Sequence, residues 1–176
     1  MRLAVLPFDN LTSEGTSGDV MTVVFFTEVG AQGAYEPVEA GVVAAALESL
    51  GVRTAGSLSA SQLKAIGDRV AAPRLLIGSV LENGFVHTAE ADLPSVGVTL
   101  KLLDAASGRV LWTKMGFKTG DDGETVFGWG REKSPRKLAA SLATELLKDL
   151  PGPGVEPPIA PAAIPADTMT AKKGLP

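Results

Sequence analysis

The spacing of apolar and polar positions changes several times along this chain, and each change marks an element. Arg2 to Phe8 (RLAVLPF) is an almost unbroken apolar run ended by Pro7 and the turn-forming Asp9-Asn10, the pattern of a short central strand buried on both faces. A polar loop runs from Leu11 to Gly18, and Asp19 is placed to cap a helix that continues to about Gln32. Val20, Val23, Val24 and the Phe25-Phe26 pair give that helix an unusually wide apolar surface and predict that it is largely buried. Tyr35 to Val38 predicts a second strand, interrupted by Pro37. Val42 to Leu50 predicts a second helix stopped by Gly51, and Ser59 or Ser61 caps a third through about Ala71, with Leu63, Ile66 and Val70 at helical spacing.

The second half changes character. Arg74 to Val86 opens on Leu75-Leu76-Ile77 and turns polar at Glu82-Asn83-Gly84, which predicts a long strand leaving the core. From Val96 to Leu103, apolar Val96, Val98, Leu100 and Leu102 alternate with Gly97, Thr99 and Lys101, the period of a strand with one wetter face. Val110 to Thr119 is its partner. Ser134-Pro135 is an N-cap followed by the residue best suited to the first helical position, and Leu138, Leu142, Leu146 and Leu147 form a stripe down to Leu150. After Leu150 the pattern ends. Seven prolines between Pro151 and Pro176, set among alanine and glycine, cannot bury a face, so residues 1–150 are expected to form the domain and 151–176 a flexible or extended tail.

Composition narrows the functions open to this fold. A chain of 176 residues with 45% hydrophobic content can close one core. A formal charge of −4 gives no general attraction to phosphate backbones, which argues against a nucleic-acid partner. The absence of cysteine excludes disulfides, thiolate catalysis and cysteine zinc sites within this stretch. A single histidine, His87, cannot assemble a multi-histidine metal site. No run approaches the roughly 20 apolar residues that cross a bilayer as a helix, and Met1-Arg2 leads straight into the first strand without the pattern of a signal peptide.

The stretch Leu102 to Trp112, LLDAASGRVLW, explains itself mechanically. Asp104 can accept hydrogen bonds from backbone N–H groups ahead of it, and Gly108 can take the positive φ that restarts a strand, so DAASG predicts a hairpin turn. The phrase resembles the blades of quinoprotein-type propellers, but that fold needs several copies at a fixed period and this chain has one. The order of pieces resembles something else. An RLAVLPFDNLT opening strand, a helix, a short YEPVE strand, then LLIGSV, a VTLKLLDAASGRVLW hairpin, an FGWG link at Phe127 to Gly130 and a closing helix are similar to the TolB N-terminal-like/CsgG-like group of bacterial envelope proteins, over about Arg2 to Leu150.

That resemblance implies an α/β fold: a single-domain sandwich whose mixed sheet combines parallel core strands with an antiparallel hairpin and is flanked by helices. It implies a lipoprotein facing the periplasm and associated with the outer membrane, accessory to secretion or to assembly of an envelope structure, with no catalytic activity. Its signal and lipid-bearing cysteine are expected to lie upstream of Arg2. Ser107 stands where the group usually has threonine. The chain has no amphipathic strand pairs of membrane-spanning length, which argues against a CsgG-type pore.

Several chemical signals compete with that reading. Ser61-Gln-Leu-Lys64 matches S-x-x-K and Lys118-Thr-Gly120 matches K-T-G, motifs of penicillin-recognising acyl-transfer enzymes, so Ser61, Lys64 and Lys118 form the alternative, an enzyme. No S-D-N lies between them, and short motifs match by accident; the plainer reading makes Ser61 a cap and Lys64 a solvated side chain. Gly128-Trp129-Gly130 fits no phosphate-binding loop. Asp121-Asp-Gly-Glu124 lacks the ligand rhythm of a calcium loop and reads as a turn. Arg131, Lys133, Arg136 and Lys137 are basic residues where a helix start prefers acids, a misfit that favours an interaction role. The expected contact residues are Phe25, Phe26, Trp129, Arg131, Lys133 and Arg136. The expected partners are envelope proteins or further copies of the chain, with a membrane reached only through a lipid anchor absent from this chain; no cofactor or metal is expected.

Overall fold

The computed structural model describes residues 1–87, 92–122 and 132–154. Among these residues four helices and six strands follow in the order β1 (Arg2–Val5), β2 (Asp9–Asn10), α1 (Ser17–Gln32), β3 (Glu36–Pro37), α2 (Ala40–Ser49), α3 (Ala60–Val70), β4 (Arg74–His87), β5 (Asp92–Asp104), β6 (Val110–Thr119) and α4 (Pro135–Leu147). They build one mixed sheet ordered β3-β1-β4-β5-β6, with β2 also paired to β4. The pairs β1/β3, β1/β4 and β2/β4 are parallel, while β4/β5 and β5/β6 are antiparallel. This is the single-domain α/β architecture with parallel core strands and an antiparallel hairpin expected from the sequence.

The opening apolar run is a strand only as far as Val5, and Asp9-Asn10, expected as the turn that ends it, forms a second short strand. Pro7 has no N–H to give to a ladder, so β1 stops at Val5 and β2 resumes two residues beyond the proline, both along β4. The Leu6 N–H reaches the Leu76 carbonyl at 2.9 Å and the Leu11 N–H reaches the Val80 carbonyl at 3.0 Å. The Phe8 N–H turns aside to the Thr22 hydroxyl of α1 at 2.9 Å, which aims the Phe8 ring under that helix. There it meets Phe25, centroid to centroid at 5.1 Å. Gly78 makes room for it: a Cβ there would lie 2.4 Å from the Phe8 ring. The VLPF and LLIGSV pieces are therefore two halves of one packing arrangement.

Asp19 does not cap α1. The helix begins at Ser17, and its cap position, Thr16, makes no side-chain cap bond. Close approach fixes the start instead: a Cβ on Gly18 would sit 2.6 Å from the Phe8 carbonyl, and the Asn10, Thr12, Glu14 and Ser17 side chains and carbonyls knit the preceding loop. Of the two serines offered as caps for α3, Ser59 is the one used, in a capping box with Gln62. Ser134 caps α4 with Pro135 at its start, and Gly51 follows α2 with φ of 65°.

The sheet divides the apolar interior into two layers. On one face α1 and α4 close over Leu3, Val5, Leu76, Val80, Val96, Val98, Leu100 and Leu102, adding Met21, Phe25, Val29, Leu138, Leu142 and Leu146. On the other, α2 and α3 cover Ala4, Leu6, Leu75 and Leu103 with Val43, Leu47, Leu63, Ile66 and Val70. The turn between β5 and β6 forms as its sequence requires. Asp104 Oδ2 accepts from the Ser107 N–H at 2.9 Å and hydroxyl at 2.6 Å, and Gly108 has φ of 68°. Arg74 anchors the turn to the sheet through a 2.5 Å ion pair with Asp104 that is largely shielded from water. Beyond α4, the Tyr35 hydroxyl donates to the Pro151 carbonyl at 2.7 Å; residues 155–176, most of the expected tail, lie outside the described residues. No described helix is long and apolar enough to cross a membrane.

Candidate functional site

The two halves of the acyl-transfer motif set lie on opposite sides of the sheet. Ser61 belongs to the first turn of α3, in the layer that covers Leu75 and Leu103, and its hydroxyl sits 3.0 Å from that of Ser59. Lys64 is exposed and paired with Asp68 at 2.6 Å along the same helix. Lys118 projects from β6 toward α4, where it meets Glu145 at 3.1 Å. With Thr119 and Gly120 it lines a mixed-charge groove of about 470 Å³ shared with Asp122, Lys137 and Ser141. That groove contains neither Ser61 nor Lys64, so the side chains do not converge on a reacting centre. His87 pairs with Asp92 at 2.6 Å on an exposed strand end. Among the described residues, no group of acidic or histidine side chains could hold a metal ion.

The expected contact residues are scattered. Phe25 is fully buried against Phe8 and offers nothing to a partner; of the wide apolar surface expected to bury α1, only the stripe of Met21, Phe25 and Val29 enters the core, and Phe26 is half-buried. Lys133 is exposed. Arg136 stands in the first turn of α4 and, with Asp19, Val20, Val23 and Val24 of α1, lines a shallow apolar depression of about 290 Å³. Val23 is 64% exposed. Trp129 and Arg131, with the FGWG link, lie outside the described residues.

The most unusual surface is one that the hydrophobic pattern misassigns. In β6 the sequence Trp112-Thr-Lys-Met-Gly-Phe-Lys-Thr119 alternates in a way that would ordinarily turn Met115 and Phe117 inward. They face out, 59% and 53% exposed, while Lys114, Gly116 and Lys118 face α4. The cause is α4, which lies so close to β6 that a Cβ on Gly116 would be 2.7 Å from Leu146 and 3.1 Å from Leu142. Only glycine admits that contact at full density, and the flanking lysines bend back to Asp149 and Glu145. The Lys114 hydrogen bond also holds the Asp149 carboxyl below the usual carboxylate range.

Opposite α4, the α2–α3 layer stops near Leu75 and Leu103, and the outer sheet continues without a helix. Ser79, Thr99 and Met115 stand side by side across β4, β5 and β6, as do Ile77, Lys101 and Thr113. Phe117 lies flat over Gly97, where a Cβ would be 2.3 Å from its ring. A three-stranded arm thus presents one uncovered face with an aromatic and a thioether at its outermost strand. Neither Met115 nor Phe117 stands out in the sequence; the only local sign is Gly116 between two lysines.

No family model matches the sequence, and no curated protein matches it. Solved structures do match the fold. A single-substitution variant of PelC from Paraburkholderia phytofirmans, solved as a dodecamer, is similar with a TM-score of 0.58 and 23% identity, over 83% of this chain and 85% of that one. Lipoprotein GNA1162 from Neisseria meningitidis is similar with a TM-score of 0.59 and 17% identity, over 73% of this chain and 89% of that one. LpoB from Escherichia coli is similar with a TM-score of 0.53 and 20% identity, over 66% of this chain and 56% of that one. This chain shares its fold with these proteins, one of them a lipoprotein.

Proposed function

We propose that this chain is a non-enzymatic accessory protein of the bacterial cell envelope, a periplasm-facing lipoprotein held at the outer membrane that acts by binding other envelope proteins or further copies of itself in secretion or assembly. The TolB N-terminal-like/CsgG-like group is the setting in which the reading places it. What carries the reading is the fold shared along most of the chain with PelC, a protein that assembles from identical subunits, and with a lipoprotein. The surfaces fit contact better than catalysis: an uncovered sheet face with Met115 and Phe117, and an apolar depression beside Arg136.

The test is location and lipidation in the native host. An epitope-tagged copy expressed from its own gene is expected in the envelope fraction, labelled by radioactive palmitate and recovered with envelope proteins after mild cross-linking. A protein found in the cytosolic fraction, unlabelled and co-purifying only with cytosolic enzymes, overturns the proposal.

A further inference from the structure

We infer that the outer edge of β6 is a self-pairing interface, through which two copies of this chain join their sheets about a two-fold axis centred on Met115. The inference deepens the binding role proposed above by naming the surface and its occupant.

Three observations carry it. First, β6 is a long edge. Among the described residues Val110–Thr119 pairs only with β5, has no proline, and is in unbroken register with β5 from Trp112 to Thr119. The Gly120 N–H points to the Pro94 carbonyl of β5, while the Thr119 N–H turns away to the Asp122 carboxylate. Successive residues of a strand alternate direction. Carried back along β6, that alternation puts the backbone N–H and C=O of Phe117, Met115 and Thr113 on the free edge.

Second, the usual guards are withdrawn. Proteins blunt exposed edges with lysine, proline or bulges. The lysines of this edge, Lys114 and Lys118, are folded back toward α4 onto Asp149 and Glu145, so neither side chain lies across the free edge.

Third, charge selects one register for a second copy. A two-fold antiparallel pair must set outward-pointing residues opposite outward-pointing residues, and two centres keep nearly all of β6 paired. Centring on Lys114 places two ammonium groups directly opposite, which is destabilising. Centring on Met115 places Lys114 opposite Gly116 and Lys118 opposite Trp112, so no two ammonium groups face each other. On the uncovered face Thr113 then stands opposite Phe117 and Met115 opposite Met115. The exposed side chains of the two copies merge into one apolar row, Phe117, Met115, Met115, Phe117, across the joined strands. An interface built this way is isologous and closes at two copies; larger assemblies would contain it as a repeating pair.

The chain's lack of cysteine makes the test clean. In a hydrogen-bonded antiparallel pair the facing Cα atoms are about 5.5 Å apart, within disulfide reach. The purified full chain is expected to run at an even multiple of its monomer mass in light scattering. Met115→Cys should form a disulfide-linked pair on mild oxidation. Thr113→Cys and Phe117→Cys should each stay largely monomeric in reducing-agent-free gels when alone but cross-link to each other when mixed. Met115→Lys should give a monomer with unchanged circular dichroism, whose melting temperature no longer rises with protein concentration. A Met115→Cys protein that stays unlinked, or a Met115→Lys protein whose mass is that of the parent, overturns the inference. A parent that is monomeric when pure overturns it as well. These readouts use purified protein alone, so they fail independently of fractionation and palmitate labelling.

Discussion

Asp104 shows how much one side chain can carry in this fold. Burial on its own would raise its pKa, but the Ser107 hydroxyl and N–H and the Arg74 guanidinium together outweigh burial and hold the carboxyl below its usual range. A carboxyl lowered in the folded state stabilises the protein above its unfolded pKa of about 3.9 and loses that effect as pH falls through the folded value. Asp104→Asn keeps one acceptor oxygen but replaces the other with an amide NH2 and removes the negative charge that faces Arg74, in a pair largely shielded from water. The expected cost is about 3 kcal/mol at neutral pH, shrinking as pH falls below about 4, where the unfolded parent takes up a proton that the folded carboxyl, held lower, still resists. Denaturant titrations of both proteins at pH 7 and pH 3 measure the difference; an equal gap at both values contradicts the assignment. Tyr35 shifts the other way, burial pushing its phenol up against the opposing pull of Arg74. At Ser61 the expectation is chemical silence. Its neighbour is another serine hydroxyl and Lys64 is committed to Asp68, so a fluorescent β-lactam should leave no covalent adduct, read by intact mass.

At the scale of elements, close approach between backbones decides more than capping does. Gly67 of α3 packs on the β5–β6 turn, where a Cβ would lie 2.4 Å from the Ala105 Cβ and 3.0 Å from the Ala72 carbonyl. Gly67→Ala gains about 1 kcal/mol of helix propensity but overpacks two groups that cannot swing aside, at about 2 kcal/mol. The net change is a loss, detectable as a lower melting temperature; a gain would mean that α3 floats freely over the turn. The same contrast explains what could be read from the sequence. A serine cap for α3 at Ser59 or Ser61, Ser134 with Pro135, and Asp104 through Gly108 are local devices whose partners lie within three or four residues; the structure uses the last two as written and, for α3, chooses Ser59 through Gln62. The start of α1 was not legible, because Gly18 answers to Phe8 instead of to a cap. The facing of β6 was hidden for a related reason: Gly116 is matched to Leu142 and Leu146, far along the chain, and alternation within the strand points the wrong way.

The whole molecule is a sheet between two unequal layers, and that asymmetry sets how it should open. The α1–α4 side holds Phe8, Met21, Phe25, Leu138, Leu142 and Leu146 against the sheet. The α2–α3 side is rich in alanine, with Ala4, Ala46, Ala55, Ala72 and Ala105 among its buried residues. Alanine buries much less apolar surface than leucine or phenylalanine, and stabilisation follows the area removed from water at roughly 25 cal/mol per Å². The second layer is therefore the cheaper one to detach, and segments with less buried apolar contact open at lower free energy than the core. Lifting α2 and α3 exposes Leu75 and Leu103 but leaves β1, β4 and β5 clamped from the other side by α1 and α4. Native-state hydrogen exchange is expected to show α2 and α3 amides exchanging through a partial opening well below the global unfolding free energy, with β4 and α4 exchanging only through global unfolding. Ser59→Ala sharpens the test. Loss of the capping box costs about 1 kcal/mol and should speed α3 exchange about fivefold if that element opens on its own. If α3 and α4 slow and quicken together in the parent and in the variant, the two layers open as one and the asymmetry has no dynamic consequence.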